Sequence, residues 1–247
     1  MKIIAIDSSS LVASVAVLED DELIAEYNVQ YKKTHSQTLL PMLDEIKKMV
    51  DLDLNDIAAI AISKGPGSFT GLRIGSATAK GLAQALNVPI VEIGTLEGMA
   101  CNLYGNEELI IPIMDARRNQ VYTGIYSFDK SEDGYEMKTY LDQSAMSIEE
   151  LLDKVKELAE ETKKRAIFLG DGVPVFKDII SKANPKDYIF AKAHMNRQRA
   201  AAFGYLALNK LVAGEGVTCY EHAPYYLRLS QAERERNEGI RNKGSNY

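Results

Sequence analysis

The chain has 247 residues, 46% of them hydrophobic and 26% charged, which suits a globular protein with a sizeable core and excludes collagen-like, disordered and membrane-embedded classes. Its 29 Lys and Arg against 35 Asp and Glu give a net charge of −6, too acidic to grip nucleic acid unaided, so any RNA would need a partner's basic surface. Asp7 interrupts the apolar run 3–6 too early for a signal peptide, no run is long enough to span a bilayer, and Cys101 and Cys219 lack metal-ligand or disulfide spacing; a cytoplasmic location is expected.

In chain order, residues 3–6 predict a strand, followed by the turn Asp7-Ser8-Ser9-Ser10 and a second strand through Val12, Ser14, Val15 and Val17. A third strand over 23–29 follows the acidic turn Glu19-Asp20-Asp21. Residues 36–50 predict an amphipathic helix with Leu39, Leu43, Ile46 and Val50 on one face and Asp44, Glu45, Lys47 and Lys48 opposite. A strand over 57–62 then runs into the block Lys64-Gly65-Pro66-Gly67-Ser68-Phe69-Thr70-Gly71-Leu72-Arg73-Ile74-Gly75, behind which a helix continues to 86. A short strand over 90–93 closes this half.

The glycine block is the most informative stretch. Gly65, Gly67 and Gly71 carry no Cβ to prevent close approach, and the N–H groups opening the next helix are unpaired and partly positive, so the junction could hold an anion or a partner's backbone. It is not a Walker A loop, because neither Lys-Ser nor Lys-Thr follows Gly71, and Thr70 takes the place of the third glycine of a dinucleotide fingerprint. A tight strand-to-helix turn without a ligand is the other reading.

The pattern then restarts. Residues 110–114 lead into Asp115-Ala116-Arg117-Arg118-Asn119 and the alternating Val121, Thr123 and Ile125. The Asp7 and Asp115 turns lie 108 positions apart, close to one small-domain length, so an internal duplication is expected, with domains over 1–107 and 108–228 and a polar, frayed tail over 229–247. The second half continues with a helix over 147–165, a strand over 166–169, a helix over 173–183, a strand over 188–191 and a helix over 197–213. Charge alternation along 153–165 marks a solvated helix face.

Three turns could carry chemistry. In Asp7-Ser8-Ser9-Ser10 a carboxylate at the end of a strand precedes small hydroxyl residues, an arrangement suited to Mg²⁺ with backbone N–H groups on phosphate oxygens. Asp115 has the equivalent place, but Arg117 and Arg118 behind it suit an anion or a carboxylate better than a metal. Gly170-Asp171-Gly172 would let a nucleotide approach the backbone, or is simply a turn. His194 and His222 read as surface or structural residues, and His35 as a helix-end residue with room for an interface role.

Taken in order, Asp7-Ser8-Ser9-Ser10 with its hairpin, His35-Ser36-Gln37-x-Leu39-Leu40-Pro41, the block from Gly65 to Arg73, Asp115-Ala116-Arg117-Arg118 and Pro224-x-Tyr226-Leu227-Arg228 resemble the TsaB (YeaZ) family. The resemblance implies an α/β fold of two similar domains of the actin, sugar kinase and Hsp70 (ASKHA) type, each a mixed sheet flanked by helices. It also implies a non-catalytic partner of TsaD, a paralogous metal-binding ATPase-like protein, in threonylcarbamoyl modification of the adenosine beside the tRNA anticodon. The small ATPase TsaE joins that assembly, and a separate enzyme supplies threonylcarbamoyl-adenylate. By the same resemblance the chain has no cofactor of its own, ATP or ADP and metal sit on partner subunits, tRNA is met only through the complex, and no membrane is involved. Asp7, Ser8, Ser9 and Asp115 would then be a vestigial nucleotide turn. The catalytic relative carries His-x-x-x-His after the strand corresponding to 90–93, where i and i+4 spacing lets both rings share a metal; this chain has Thr95-Leu96-Glu97-Gly98-Met99. Ser8 stands where the family usually has Thr, and the hydroxyl is kept.

A subunit without catalytic residues needs a packing surface. Gly71, Gly75, Ala79 and Ala83 at successive i+4 positions form a ridge of small side chains that would either admit a partner helix or face its own sheet. With Leu72, and with Leu39, Leu43 and Ile46 of helix 36–50, this ridge is the expected contact with TsaD, weakened by a bulky residue at Gly75 or Ala79. The same patch would form a homodimer when TsaD is missing. The competing reading is an independently active ATPase, kinase or metallopeptidase-like enzyme of the same fold, against which the missing His pair and general base speak.

Overall fold

Ten strands and six α-helices are laid out in the computed structural model, which describes residues 1–31, 34–132, 134–184 and 186–228. The first half contains β1 (Lys2–Asp7), β2 (Val12–Glu19), β3 (Glu22–Gln30), α1 (His35–Met49), β4 (Ile57–Gly65), α2 (Phe69–Leu86), β5 (Ile90–Gly94) and α3 (Thr95–Cys101). The second contains β6 (Leu109–Asp115), β7 (Gln120–Ser131), β8 (Gly134–Ser147), α4 (Ile148–Thr162), β9 (Ala166–Leu169), α5 (Val173–Ala183), β10 (Tyr188–Phe190) and α6 (Ala200–Val212). The expected tail over 229–247 lies outside the described residues.

The two sheets repeat one topology, β3-β2-β1-β4-β5 and β10-β9-β6-β7-β8. In each, the first strand lies at the centre, its hairpin partner runs antiparallel on one side and a crossover strand parallel on the other. This is the duplicated α/β architecture of ASKHA type that the family resemblance implies. Continuous apolar runs in β1, β4, β6 and β9 reflect strands buried on both faces.

One face of the first sheet is covered by α1 and α2, whose Leu39, Met42, Leu43, Ile46, Ala79 and Ala83 pack on Ile4, Ile6, Ile60 and Ile62. One face of the second is covered by α4 and α5 through Leu151, Val155, Phe176 and Ile180. The remaining faces are covered by exchange. Helix α6 of the second half lays Ala200, Phe203, Ala207 and Leu208 on Ile3, Ala5, Ala59, Ala61 and Ile93 of the first sheet. Helix α3 of the first half lays Leu96, Met99 and Ala100, with Leu103 of the turn behind it, on Ile110, Met114, Tyr126 and Leu169 of the second. The two exchanged helices meet at Gly98, where an added Cβ would lie 2.5 Å from the Phe203 ring.

Sequence patterning did not anticipate α3 or β8. The sequence-predicted ridge helix starts earlier than Gly71, at Phe69, because Ser68 caps it by accepting a hydrogen bond from the Gly71 N–H at 3.3 Å. No described helix is long and apolar enough to cross a membrane.

Candidate functional site

The carboxyl ends of β1, β4, β6 and β9 converge on a cleft of about 750 Å³ between the two halves, with Ser9, His35, Gly67, Asp115, Asp171 and Arg228 among its walls. Ligands of open α/β sheets sit beyond such strand ends. The first acidic turn reaches the cleft through Ser9 and Ser10, while Asp7 itself is fully buried.

Three of the polar groups that such a turn could offer a phosphate are already engaged. The Ser9 N–H donates to Asp7 Oδ1 (3.3 Å), the Ser8 hydroxyl to the Gly71 carbonyl (2.9 Å) and the Ser10 hydroxyl to Gln198 Oε1 (3.0 Å). The glycine block lies directly on this turn, with the Ser68 N–H donating to the Ser9 carbonyl at 2.6 Å. Its glycines are required by that contact: an added Cβ would lie 2.3 Å from the Ser9 oxygen at Gly67, 2.1 Å from the Ser8 oxygen at Gly71 and 2.3 Å from Ser8 Oγ at Gly75. At the start of α2 the Gly71 N–H is thus taken by the Ser68 hydroxyl and the N-cap Ser68 N–H by the first turn.

Burial pushes the Asp7 carboxyl up from 3.8 to about 6; hydrogen bonds from Ser9 oppose the rise and the Asp171 charge adds to it. Asp7 Oδ2 and Ser9 Oγ are buried without a protein partner. Burial also raises Asp171, opposed by the Arg197 charge; Arg197 is itself held by the carbonyls of Gly170 (2.7 Å) and Asn196 (3.0 Å).

Asp115 turns back on its own loop. Its Oδ1 accepts from the Arg117 N–H at 2.8 Å and its Oδ2 pairs with Arg117 Nη1 at 3.3 Å. Arg117, Arg118 and Asn119 form a left-handed run with φ of 65°, 54° and 58°. At the start of α3, Thr95 Oγ1 is 2.7 Å from Ser63 Oγ and Met99 is buried against the second sheet, so neither side chain presents a metal-ligating nitrogen. No group of three or more His, Cys, Asp or Glu among the described residues is arranged to hold a metal ion.

The last described segment laces the two halves together. Val217 and Ile90 exchange backbone hydrogen bonds at 2.8 and 2.9 Å, extending the first sheet beyond β5. His222, expected on the surface or in a structural place, is buried and bonds Glu92 Oε1 through Nδ1 at 2.6 Å, which holds the Glu92 carboxyl below its usual range. The Tyr225 N–H donates to the Lys64 carbonyl at 2.6 Å, and Arg228 crosses to the second half, donating to the Ala116 carbonyl at 2.9 Å. Of this lacing only the Pro224-x-Tyr226-Leu227-Arg228 motif was visible in sequence; Gln198, Glu92 and His222 carried no local signal. His35 bonds the Ser10 carbonyl at 2.7 Å, and His194 is exposed.

The expected partner-facing ridge needs correction. Gly71, Leu72, Gly75, Ala79 and Ala83 are all buried, as are Leu39, Leu43 and Ile46, so these side chains fill the protein's own core. The exposed faces of the same two helices are different residues: Leu40 (52% exposed), Asp44, Lys47 and Met49 (71%) on α1, and Arg73, Ala77, Gly81 and Gln84 on α2. A Cβ at Gly81 would meet open space.

Comparisons with known proteins place this geometry in a family. Residues 22–236 match the family model described as TsaD: tRNA N6-adenosine threonylcarbamoyltransferase. The chain is 34% identical to the tRNA threonylcarbamoyladenosine biosynthesis protein TsaB of Bacillus subtilis, over 94% of this chain and 96% of that one. It is 35% identical to the Escherichia coli protein of the same name over 53% and 57% of the two chains. Among solved structures, YeaZ from Pseudomonas aeruginosa superposes with a TM-score of 0.76 at 26% identity, covering 92% of this chain and 99% of that one.

Proposed function

We propose that this chain, which belongs to the TsaB family of tRNA threonylcarbamoyladenosine biosynthesis proteins, is the non-catalytic pairing subunit of a TsaD-type threonylcarbamoyltransferase. A role in tRNA threonylcarbamoyladenosine biosynthesis follows from that membership. The finer reading gives the chain a TsaD partner, with TsaE joining the assembly, ATP or ADP and metal held by partner subunits, and tRNA held by the complex. Alone it pairs with itself through the same face.

The observation that carries the reading is the state of the first acidic turn. The Ser8 and Ser10 hydroxyls and the Ser9 N–H are bonded within the chain and Asp7 is sealed from the cleft, which leaves no first-turn carboxylate for a metal-bound phosphate. Asp115, bonded to its own Arg117, offers no substitute.

For pairing, the exposed face of α1 and that of α2 from Ala77 onward replace the buried ridge, while Arg73, on the first turns of α2, is bonded to Tyr226 at the cleft. Gly81 lies in the open with Ala77 one turn before it, so a partner helix could come close there, flanked by Leu40 and Met49 on α1. Gly81→Arg should leave the chain folded, since Arg is the better helix former by about 0.8 kcal/mol. The expected result is a native circular dichroism spectrum together with lost co-elution with TsaD on size exclusion. An undisturbed complex would reject this face.

A further inference from the structure

We propose that the rim of the inter-half cleft is an RNA contact that takes the phosphates and an unstacked base of a single-stranded segment. The proposal rests on the reading above, which supplies the RNA as tRNA held by the complex.

In a chain of net charge −6, most described arginines away from the cleft are neutralised: Arg165 pairs with Glu108 at 2.8 Å and Arg199 with Glu26. At the rim the pattern reverses. Arg73, Arg118 and Arg228 have no carboxylate within ion-pair distance among the described residues, whereas Arg117 is paired with Asp115.

Two of these arginines are held in fixed poses with donors to spare. The Arg73 guanidinium lies 3.9 Å from the centre of the Phe69 ring, and its Nε donates to the Tyr226 hydroxyl at 3.2 Å, while neither Nη group has a hydrogen-bond partner among the described residues. Phe69 and Tyr226 are themselves 4.6 Å apart between ring centres. Arg228 donates one Nη1 hydrogen to the Ala116 carbonyl and lies 5.7 Å from the Tyr122 ring. A guanidinium immobilised on an aromatic face presents a planar fork to a phosphate, and the ring beside it is a platform for a base.

The floor below the rim opposes deeper entry of a polyanion, because Asp171 lines the cleft. Glu149 bonds Asn119 beside Arg118 and makes that edge less favourable, so Arg73 and Arg228 bear the contact. Two or three phosphates give a log–log salt slope of only about −1.4 to −2 for a single strand, too little to hold RNA alone. The rim therefore adds to a surface completed by the partner, in keeping with the acidic composition.

The test is fluorescence anisotropy of a labelled anticodon stem-loop RNA titrated with the TsaD complex across a KCl series, using wild type, Arg228→Ala and Arg73→Ala/Arg228→Ala. Co-elution with TsaD is checked first. A wild-type chain that fails to co-elute refutes the pairing reading, and that failure is distinct from failure at the rim. With pairing intact, the double variant should bind roughly tenfold more weakly with a salt slope shallower by about 1.4, and Arg228→Ala should fall between. Arg165→Ala, at the other end of β9, should change neither. Unchanged affinity and slope in both rim variants would overturn the proposal. So would ATP binding by the lone chain that is lost in the double variant, which would make the rim a mononucleotide site.

Discussion

Asp7 carries an electrostatic cost that the fold tolerates. With its carboxyl raised from 3.8 to about 6, the folded chain binds more protons than the unfolded chain between about pH 4 and pH 6. Stability should therefore fall as pH rises through that window, by on the order of 3 kcal/mol, and stay at the lower level above it. Asp7→Asn keeps an oxygen to accept the Ser9 N–H and removes the charge. It should melt higher than wild type at pH 7.5, and the two curves should converge near pH 4. Thermal denaturation at both pH values measures this, and a difference that is absent or independent of pH would show that the carboxyl is not desolvated as described. At this scale the sequence was partly readable. The acidic turns and the glycine block stand out because small and acidic residues cluster at strand ends. What the glycines touch, and that Ser10 meets Gln198 across 188 positions, is decided by tertiary packing.

Elements were legible where their period was clean. Helix α5 and strand β9 fall where patterning puts them, and α1 and α4 begin and end within three residues of it. Strand β8 escaped because its alternation changes face: Tyr135 and Met137 pack toward one core and Tyr140 and Leu141 toward the other, across register shifts against Thr123, Ile125 and Tyr126. Helix α3 escaped because seven residues are too few to display a helical period. The small-residue ridge shows the limit of spacing more sharply. Spacing of i+4 identifies a face of α2 without identifying its neighbour, and the neighbour is the Ser8-Ser9 turn and the chain's own sheet. Likewise the apolar stripe of α6 did not say which sheet it covers. That covering is testable: Phe203→Ala, at a fully buried ring between α6, the first sheet and Gly98, should cost about 3–5 kcal/mol. Urea denaturation followed by circular dichroism should show a lowered midpoint in one transition. A small shift, or a transition split in two, would mean that α6 is not integral to the first half.

Over the whole molecule, the exchanged helices and the lacing segment make the two sheets one mechanical unit around the cleft, with Arg228 and Tyr225 tied to opposite walls. A frame so tied suits a subunit that presents rigid outer faces of α1 and α2 to a partner more than one that must open and close around a substrate of its own. The duplication was visible in the sequence as two acidic turns, whereas the covering of the first sheet by α6 depends on contacts more than a hundred residues apart along the chain, such as the 186 positions between Ser14 and Ala200. The most direct measurement is threonylcarbamoyl transfer to tRNA in a reconstituted mixture with TsaD and TsaE, comparing wild type, Asp7→Asn and Gly81→Arg. Asp7→Asn should retain transfer within about twofold, while Gly81→Arg should lose about tenfold or more together with pairing. A folded, paired Asp7→Asn chain that abolishes transfer would contradict the non-catalytic role and place this subunit's carboxylate in the chemistry.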